Sequence, residues 1–219
     1  MFLGHFGLAL GAKQTAPGVS LGVLFMAAQF ADLLWPMLVL FGIERVDVVP
    51  GVTVVTPLDF VSYPYSHSLL ALVVWGALFG AAYRATRRSP AAAGVVLALL
   101  VVSHWVLDVI TYRPDMPLTV GGATRLGLGL WNSTPGTLAA ELLVFLAGLA
   151  IYMRTTSARD RIGSIGLWSM VVFLVLIYVA SVFGPPPPDG KTVASAAASM
   201  WLLVVWGFWV DRHRTAARP

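Results

Sequence analysis

Long apolar runs constrain this chain more than any other feature of its sequence. An α-helix needs about 20 apolar residues to cross the hydrocarbon core of a bilayer, which is roughly 30 Å thick. Lipid offers no hydrogen-bond partners, so such runs must form helices or closed barrels, and these runs lack the alternating polarity of barrel strands. Charged residues make up only 11% of the 219 positions, against about 25% in soluble domains. The sequence therefore predicts an all-α, polytopic membrane protein and excludes an ordinary soluble enzyme.

Six runs have the length of membrane spans, and a shorter run precedes them. The predicted spans are 17–41, 66–83, 91–111, 137–152, 165–183 and 194–210. The run 2–12 is too short to cross a bilayer at about 1.5 Å per residue, which predicts an N-terminal half-helix. Pro36 removes the amide that would bond the carbonyl of Asp32, which predicts a kink in the first span.

We interpret residues 1–219 as a single integral membrane domain. Residues 1–145 contain the residues of a candidate metal site, and residues 146–219 supply two further spans and a basic C-terminal tail.

The basic residues are distributed unevenly between the two ends of this predicted bundle. Alternating spans place the connections 42–65, 112–136 and 184–193 at one end, the top, and the other connections and the C-terminus at the opposite end, the bottom. The bottom holds Lys13, Arg84, Arg87, Arg88, Arg154, Arg159, Arg161, Arg212, Arg214 and Arg218, whereas the top holds Arg45, Arg113, Arg125 and Lys191. The positive-inside rule then places the bottom and the C-terminus in the cytoplasm and the top in the periplasm or outside an inner (plasma) membrane. The same rule explains the net charge of +4, so no nucleic acid is expected as a partner.

The two long connections, both at the top, have different predicted structures. In the first, β-branched residues on both sides of Pro50 and Gly51 predict a short hairpin over 46–55. The glycines of the second, at 121–122 and 127–129, lack the Gly-Lys-Ser/Thr ending of a phosphate-binding loop and therefore predict turns. Prolines 185–188 predict a stiff, extended spacer.

Ionisable residues inside apolar runs are the main functional signal. Each costs roughly 3 kcal/mol at the centre of a membrane helix and is by default a functional hypothesis. They are His5, Asp32, His104, Asp108 and Glu141, with Asp59 and His67 at a helix mouth. Counting along the alternating spans places the acids and imidazoles of four spans at one level near the top, which predicts a single polar site there.

The spacing of these residues suits a metal ion. His104 and Asp108 are four residues apart, so one helix face presents both, to share one ion or to bridge two. A hydrogen-bonded buried pair without metal is the alternative. His67 follows Ser66, a good N-cap, and a helix N-terminus favours the neutral imidazole that binds metals. The chain has no cysteine, so its metal ligands would be nitrogen and oxygen atoms.

Several short motifs carry a resemblance to a known family. They are Gly4-His5-Phe6-Gly7, Asp32 in the first span, Tyr65-Ser66-His67-Ser68-Leu69, Ser103-His104-Trp105-Val106-Leu107-Asp108 and Arg113-Pro114-Asp115-Met116-Pro117-Leu118. In their order and spacing, over roughly the first 145 residues, the chain resembles the membrane-bound metal-dependent hydrolases, also known as LexA-binding inner-membrane-associated hydrolases. That family is in turn similar to zinc-dependent phospholipase C and the P1-type nucleases, helical enzymes that cleave phosphoester bonds with clustered zinc ions.

The resemblance implies a set of ligands and an activity. By resemblance the metal ligands are His5, Asp32, His67, His104 and Asp108. Thr137 stands where the soluble enzymes have a further histidine before Glu141, so the expected cofactor is one or two ions of Zn²⁺ (or Mn²⁺) rather than a cluster of three. Asp108 would bridge two ions, and Glu141 or Asp59 would orient a water molecule or act as base. The expected activity is hydrolysis of a phosphoester, with a lipid substrate plausible within the bilayer.

Two other classes of function fit the same residues. Asp32, His104, Asp108 and Glu141 could form the proton relay of a proton-coupled transporter. Alternatively, the basic bottom surface could bind a cytoplasmic partner, which would make the protein a scaffold or regulator; the sequence does not identify such a partner.

Overall fold

The computed structural model describes residues 1–216, so Arg218 of the predicted basic bottom lies outside the described residues. The described chain is mostly helical, as predicted. Its α-helices are α1 Leu3–Ala12, α2 Leu21–Ala28, α3 Phe30–Leu40, α4 Pro64–His67, α5 Leu69–Arg87, α6 Ala91–Thr111, α7 Thr134–Thr155, α8 Arg161–Phe183, α9 Gly190–Ala198 and α10 Trp201–Arg212. Three short antiparallel pairs supplement them: β1 Arg45–Val48 with β2 Leu58–Ser62, β3 Met116–Pro117 with β4 Arg125–Leu126, and β5 Thr156–Ala158 with β6 Arg214–Ala216.

Five helical segments are long and apolar enough to cross a membrane, which indicates a membrane protein. They are α5, α6, α7, α8 and the continuous segment Gly190–Arg212, which comprises α9 and α10. The bent pair α2 and α3 would make a sixth span if the two helices cross together. The predicted half-helix is α1, which has 10 residues.

The bend in the first predicted span lies at Gln29, so the prediction of a kink at Pro36 named the wrong residue. α2 ends at Ala28, α3 begins at Phe30, and the two helices are inclined by 59°. Pro36 lies inside α3, which continues past it. The bend leaves the last carbonyl groups of α2 without partners in their own helix, and it puts Asp32 in the first turn of α3.

A close backbone contact fixes α1 inside the bundle. A Cβ atom on Gly148 of α7 would lie 1.9 Å from the carbonyl oxygen of Gly7 in α1. Glycine is therefore required at this crossing, as in other closely packed membrane helices. Leu3, Phe6 and Leu10 of α1 are fully buried, so α1 behaves as a core helix despite its shortness.

The top connections form short hairpins. A hairpin forms in the first top connection, but the predicted bounds 46–55 are wrong, since its second strand is Leu58–Ser62. The amide of Val55 instead bonds to the carbonyl of Trp131 in the other top connection (3.0 Å). The predicted glycine turns also exist: residues 121–122 lie between β3 and β4, and Gly129 has a φ of +73° before a 3₁₀ turn at Leu130–Asn132. The two connections thus pack on each other at the same end of the bundle.

Candidate metal centre

The structure brings together the five residues that the sequence singled out as metal ligands. His5 is on α1, Asp32 on α3 and His67 at the end of α4, whereas His104 and Asp108 are one turn apart on α6. Two groups could each hold a metal ion, His5 with His104 and Asp108, and Asp32 with His67 and His104; within each group the donor atoms lie within 4.8 Å of one another. Four of the five residues are at most 1% exposed, and Asp32 has a 23% exposed side chain.

Two imidazoles and two carboxylates face each other at metal-binding distances. His67 Nε2 lies 3.4 Å from Asp32 Oδ1 and 3.9 Å from Asp108 Oδ2, and His104 Nε2 lies 3.7 Å and 3.3 Å from the same two atoms. Ligand atoms about 2.0 Å from a tetrahedral zinc ion are about 3.3 Å apart. Asp32, His67 and His104 therefore have nearly the spacing of ligands to a single ion, and Asp108 Oδ2 lies beside the two imidazoles.

Both imidazoles form a hydrogen bond through Nδ1, which leaves Nε2, the nitrogen that faces the carboxylates, free to bind a metal ion. His104 Nδ1 lies 2.8 Å from the carbonyl oxygen of Ala28, an atom that only accepts, so Nδ1 donates, and in the neutral imidazole Nε2 carries the lone pair. Ala28 is the last residue of α2, and the bend after it provides this acceptor. Nε2 of His67 and of His104 is buried with no hydrogen-bond partner among residues 1–216. Buried polar atoms are normally paired, so these two nitrogens indicate a ligand that completes the site.

His5 occupies a second position beside the same carboxylate. Its Nε2 lies 3.0 Å from Asp108 Oδ1, and its ring stacks on that of His104 with a centroid distance of 3.7 Å and an angle of 4°. The main-chain nitrogen of Met1 also contacts Asp108 Oδ1. Asp108 thus contacts His5 and Met1 through one oxygen and faces His67 and His104 with the other.

Glu44 supports His67, and the sequence analysis did not identify it as a candidate site residue. Its carboxylate accepts from the amides of Tyr65 (2.8 Å) and Ser66 (2.9 Å) and from the Ser66 hydroxyl (2.6 Å). Since that hydroxyl donates to Glu44, it accepts from His67 Nδ1, 2.7 Å away, which selects the neutral tautomer with the lone pair on Nε2. Metal-binding histidines usually have such a second partner. Glu44 lies in a connection rather than in an apolar run, so burial could not be inferred from its neighbours.

Ser66 therefore has another role than the predicted N-cap. α4 ends at His67, and Ser68 caps α5 by accepting from the amide of Ala71. Ser66 faces Glu44 on one side and His67 on the other. The predicted N-cap is two residues too early, because Pro64 starts a separate short helix before the span.

The two candidate bases of the sequence analysis lie outside both groups. Glu141 accepts from the main-chain amides of Phe2 (2.8 Å) and Gly4 (2.7 Å), so its carboxylate caps the start of α1, the helix that carries His5. Asp59, on β2, pairs with Arg113 at 2.6 Å. Neither pairing tests the predicted catalytic role, but each shows that the carboxylate already has partners.

Arg113 joins Asp59 to Asp115 in a half-buried network beside the hairpins. Arg113 donates to Asp115 Oδ2 at 3.1 Å, and the hydroxyl of Tyr63 donates to Asp115 Oδ1 at 3.3 Å. Burial raises the pKa of Asp115 although Arg113 and Tyr63 oppose the shift, and burial likewise raises the pKa of Tyr63. These groups tie the two top connections together.

Comparisons with protein-family models, with curated proteins and with solved structures found no match to this chain. Its function is therefore argued from the chemistry of the site.

Proposed function

We propose that this protein is a membrane-embedded, metal-dependent hydrolase of a phosphoester. In this proposal the chain crosses the inner membrane with its C-terminus in the cytoplasm, and the site faces the periplasm or exterior. The observation that supports it best is the pair of buried, unpartnered nitrogens, Nε2 of His67 and of His104, facing the carboxylates of Asp32 and Asp108. The resemblance to membrane-bound metal-dependent hydrolases agrees with this chemistry.

The donor set offers two overlapping groups of three ligands. Asp32, His67 and His104 would hold an ion in one group, and His5, His104 and Asp108 would hold it in the other, so the two groups share His104. Nitrogen and oxygen donors suit zinc and also manganese. Such an ion supplies a water molecule with a pKa near ~7 and polarises a phosphoryl oxygen.

The residues around this donor set position it and control access to it. The Glu44 and Ser66 bonds fix the ring of His67, and the Ala28 carbonyl fixes that of His104. A cavity adjoins the cluster, and among its wall residues are Asp32, Asp108 and Glu141. A substrate would therefore approach through this cavity.

Glu141 is the better candidate for the base. It shares the cavity wall with two of the ligands, whereas Asp59 is not part of that wall and is bound to Arg113. From this wall its carboxylate could orient a water molecule or receive its proton. Because Glu141 also holds α1, its loss would disturb His5 as well.

Elemental analysis of the purified protein tests the proposal. We expect one or more zinc or manganese ions per chain in the wild type and loss of the metal in His104→Ala and Asp108→Ala, with all proteins monodisperse. His213→Ala is the matched control, because this histidine pairs with Asp160 at the other end of the bundle and should leave the metal content unchanged. The loaded wild type should then hydrolyse bis(p-nitrophenyl) phosphate or p-nitrophenyl phosphate, and His104→Ala should not.

Two outcomes would contradict the proposal. A wild type that binds no metal even after reconstitution would favour the proton relay. Metal without hydrolysis of any phosphomonoester, phosphodiester or phospholipid would reduce the site to a structural or regulatory one.

A further inference from the structure

The cavity beside the candidate metal centre is polar at one end and apolar over the rest of its wall. Its volume is about 680 Å³, within the range of roughly 300–1,000 Å³ typical of ligand pockets. Asp32, Asp108 and Glu141 supply the charged groups of its wall. Tyr112 and Trp131, with ring centroids 4.1 Å apart, line it beside them. A ligand that fits this wall has a small charged group and a larger apolar part.

The apolar part of the wall comes from the last three helices. Phe173 and Ile177 of α8 face it, together with Ala197 of α9 and Leu203 of α10. α10 packs against α8, whereas α9 packs against α3 and β1. The cavity lies between these two packed groups, next to the proline spacer that connects α8 to α9.

Some wall residues also belong to the outer apolar surface of the bundle. Phe173, Ile177 and Leu202 line the cavity and are 41%, 38% and 69% exposed. A bilayer would cover this surface, because α8 and the segment Gly190–Arg212 are both apolar enough to cross it. The cavity is therefore continuous with a surface that lipid chains would touch.

We propose that this cavity binds the alkyl chain of a long-chain phosphoester, which enters sideways from the bilayer along α8. The chain occupies the apolar space between α8 and α9, and the phosphate group reaches Asp32 and Asp108 at the metal centre. This inference rests on the proposed function and names its substrate class. A small water-soluble phosphoester would leave the apolar wall in contact with water, which is unfavourable in proportion to its area.

Binding of straight-chain alkyl phosphonates tests the inference, since these compounds mimic the charged group and cannot be hydrolysed. We would titrate the detergent-purified protein with butyl to decyl phosphonate, each below its critical micelle concentration, with zinc present and with zinc removed by chelation. We expect the affinity to rise by up to about fourfold for each added methylene, the increase expected for a buried CH₂ group. The dependence of affinity on chain length, the chain-length slope, measures binding of the alkyl chain in the cavity. The dependence on zinc measures binding of the phosphonate group at the metal centre.

Variants of α9 show whether the slope arises in this cavity. Ala197→Phe fills the apolar part and should remove most of the chain-length slope. Ala198→Phe is the matched control, because Ala198 is the next residue on the same helix and is not part of the wall; its slope should equal that of the wild type. Ala196→Phe is a second test if Ala197→Phe does not fold, since Ala196 lines the cavity and is exposed on the surface.

The outcomes for the two proposals are distinct. Equal affinity for butyl and decyl phosphonate, or a slope that survives in both Ala196→Phe and Ala197→Phe, overturns the inference even if binding depends on zinc. A slope that disappears in these variants but does not depend on zinc supports the lipid-chain site and contradicts the proposed metal-dependent hydrolysis.

Discussion

The two ends of this molecule both bury ionisable groups, but only the cations at the bottom are paired within the described chain. At the bottom, Lys13 donates to the carbonyl of Val19 (2.7 Å) and to Asp211 (2.8 Å). Arg214 donates to the hydroxyl and carbonyl of Thr156 and to the carbonyl of Gly163, at 3.0–3.2 Å. At the top, Nε2 of His67 and of His104 is equally buried and has no such partner within residues 1–216.

This difference separates a structural network from a binding site. A buried charge is stable only when paired and hydrogen-bonded, and the bottom cations meet that condition without any added group. The top imidazoles meet it on their Nδ1 side, through Ala28 and Ser66, and leave Nε2 directed at carboxylates. Burial of ionisable residues alone therefore does not indicate a candidate site; the two unpaired Nε2 atoms that face the carboxylates of Asp32 and Asp108 do.

Breaking the support of His67 should weaken metal binding without removing a ligand. We expect Ser66→Ala to lower zinc affinity by about 10- to 100-fold, the usual effect of losing such a second partner, because His67 then loses the acceptor that fixes its tautomer. Glu44→Gln should act in the same direction. Competition with a fluorescent zinc chelator measures both affinities.

A control separates this effect from the loss of a helix cap. Asp189 accepts from the amide of Thr192 at the start of α9, with no histidine attached, so Asp189→Asn should leave zinc affinity unchanged. Ser66→Ala keeps the bonds of Glu44 to the amides of Tyr65 and residue 66, so folding of α4 should persist. If Ser66→Ala bound zinc with wild-type affinity, the hydrogen bond from His67 to the Ser66 hydroxyl would not contribute to metal binding.

The sequence predicts most of the helices because their signal is local. Runs of apolar residues locate α5 to α8 within a few positions, and the scarcity of charges inside these runs makes His5, Asp32, His104 and Asp108 conspicuous. The convergence of these residues follows from the alternation of spans. The length of the apolar runs thus accounts for these helices, and the scarcity of charges inside the runs accounts for most residues of the candidate site.

The features that the sequence analysis missed all depend on distant parts of the chain. The bend lies at Gln29 rather than at Pro36, and the carbonyl of Ala28 beside it accepts from His104, 76 residues away. Glu44 reaches Ser66 across 22 residues. No local pattern distinguishes Glu44 from an exposed loop glutamate, so its role could be recognised only from the folded chain.

Breaking the bottom network should change stability and leave the metal centre intact. Lys13→Met removes the partner of Asp211, whose side chain is 19% exposed. Loss of one partner of a fully buried pair costs about 3–5 kcal/mol, and water can solvate part of Asp211, so we expect a loss of about 1–2 kcal/mol. Thermal unfolding in detergent measures this loss. The zinc content should equal that of the wild type. A loss of zinc in Lys13→Met would mean that the bottom network also supports metal binding, and the separation of a structural bottom from a metal-binding top would then be wrong.

The smallest effect should come from the exposed pair at the start of α8, and it should depend on pH. Asp160 accepts from His213 Nδ1 (2.8 Å) and from the amide of Gly163 (2.9 Å), and these bonds, that of His213 first, lower the pKa of Asp160. A carboxyl group with a lowered pKa stabilises the fold above its unfolded pKa of about 4, and this contribution disappears as the pH falls through the lower, folded value. Metal-free wild type should therefore unfold at a slightly higher temperature than Asp160→Asn at pH 6, and the two should converge near pH 3. A gap that stays constant between these pH values would show that Asp160 acts only as a neutral cap of α8, and that the bottom histidine, unlike those at the top, has no electrostatic role.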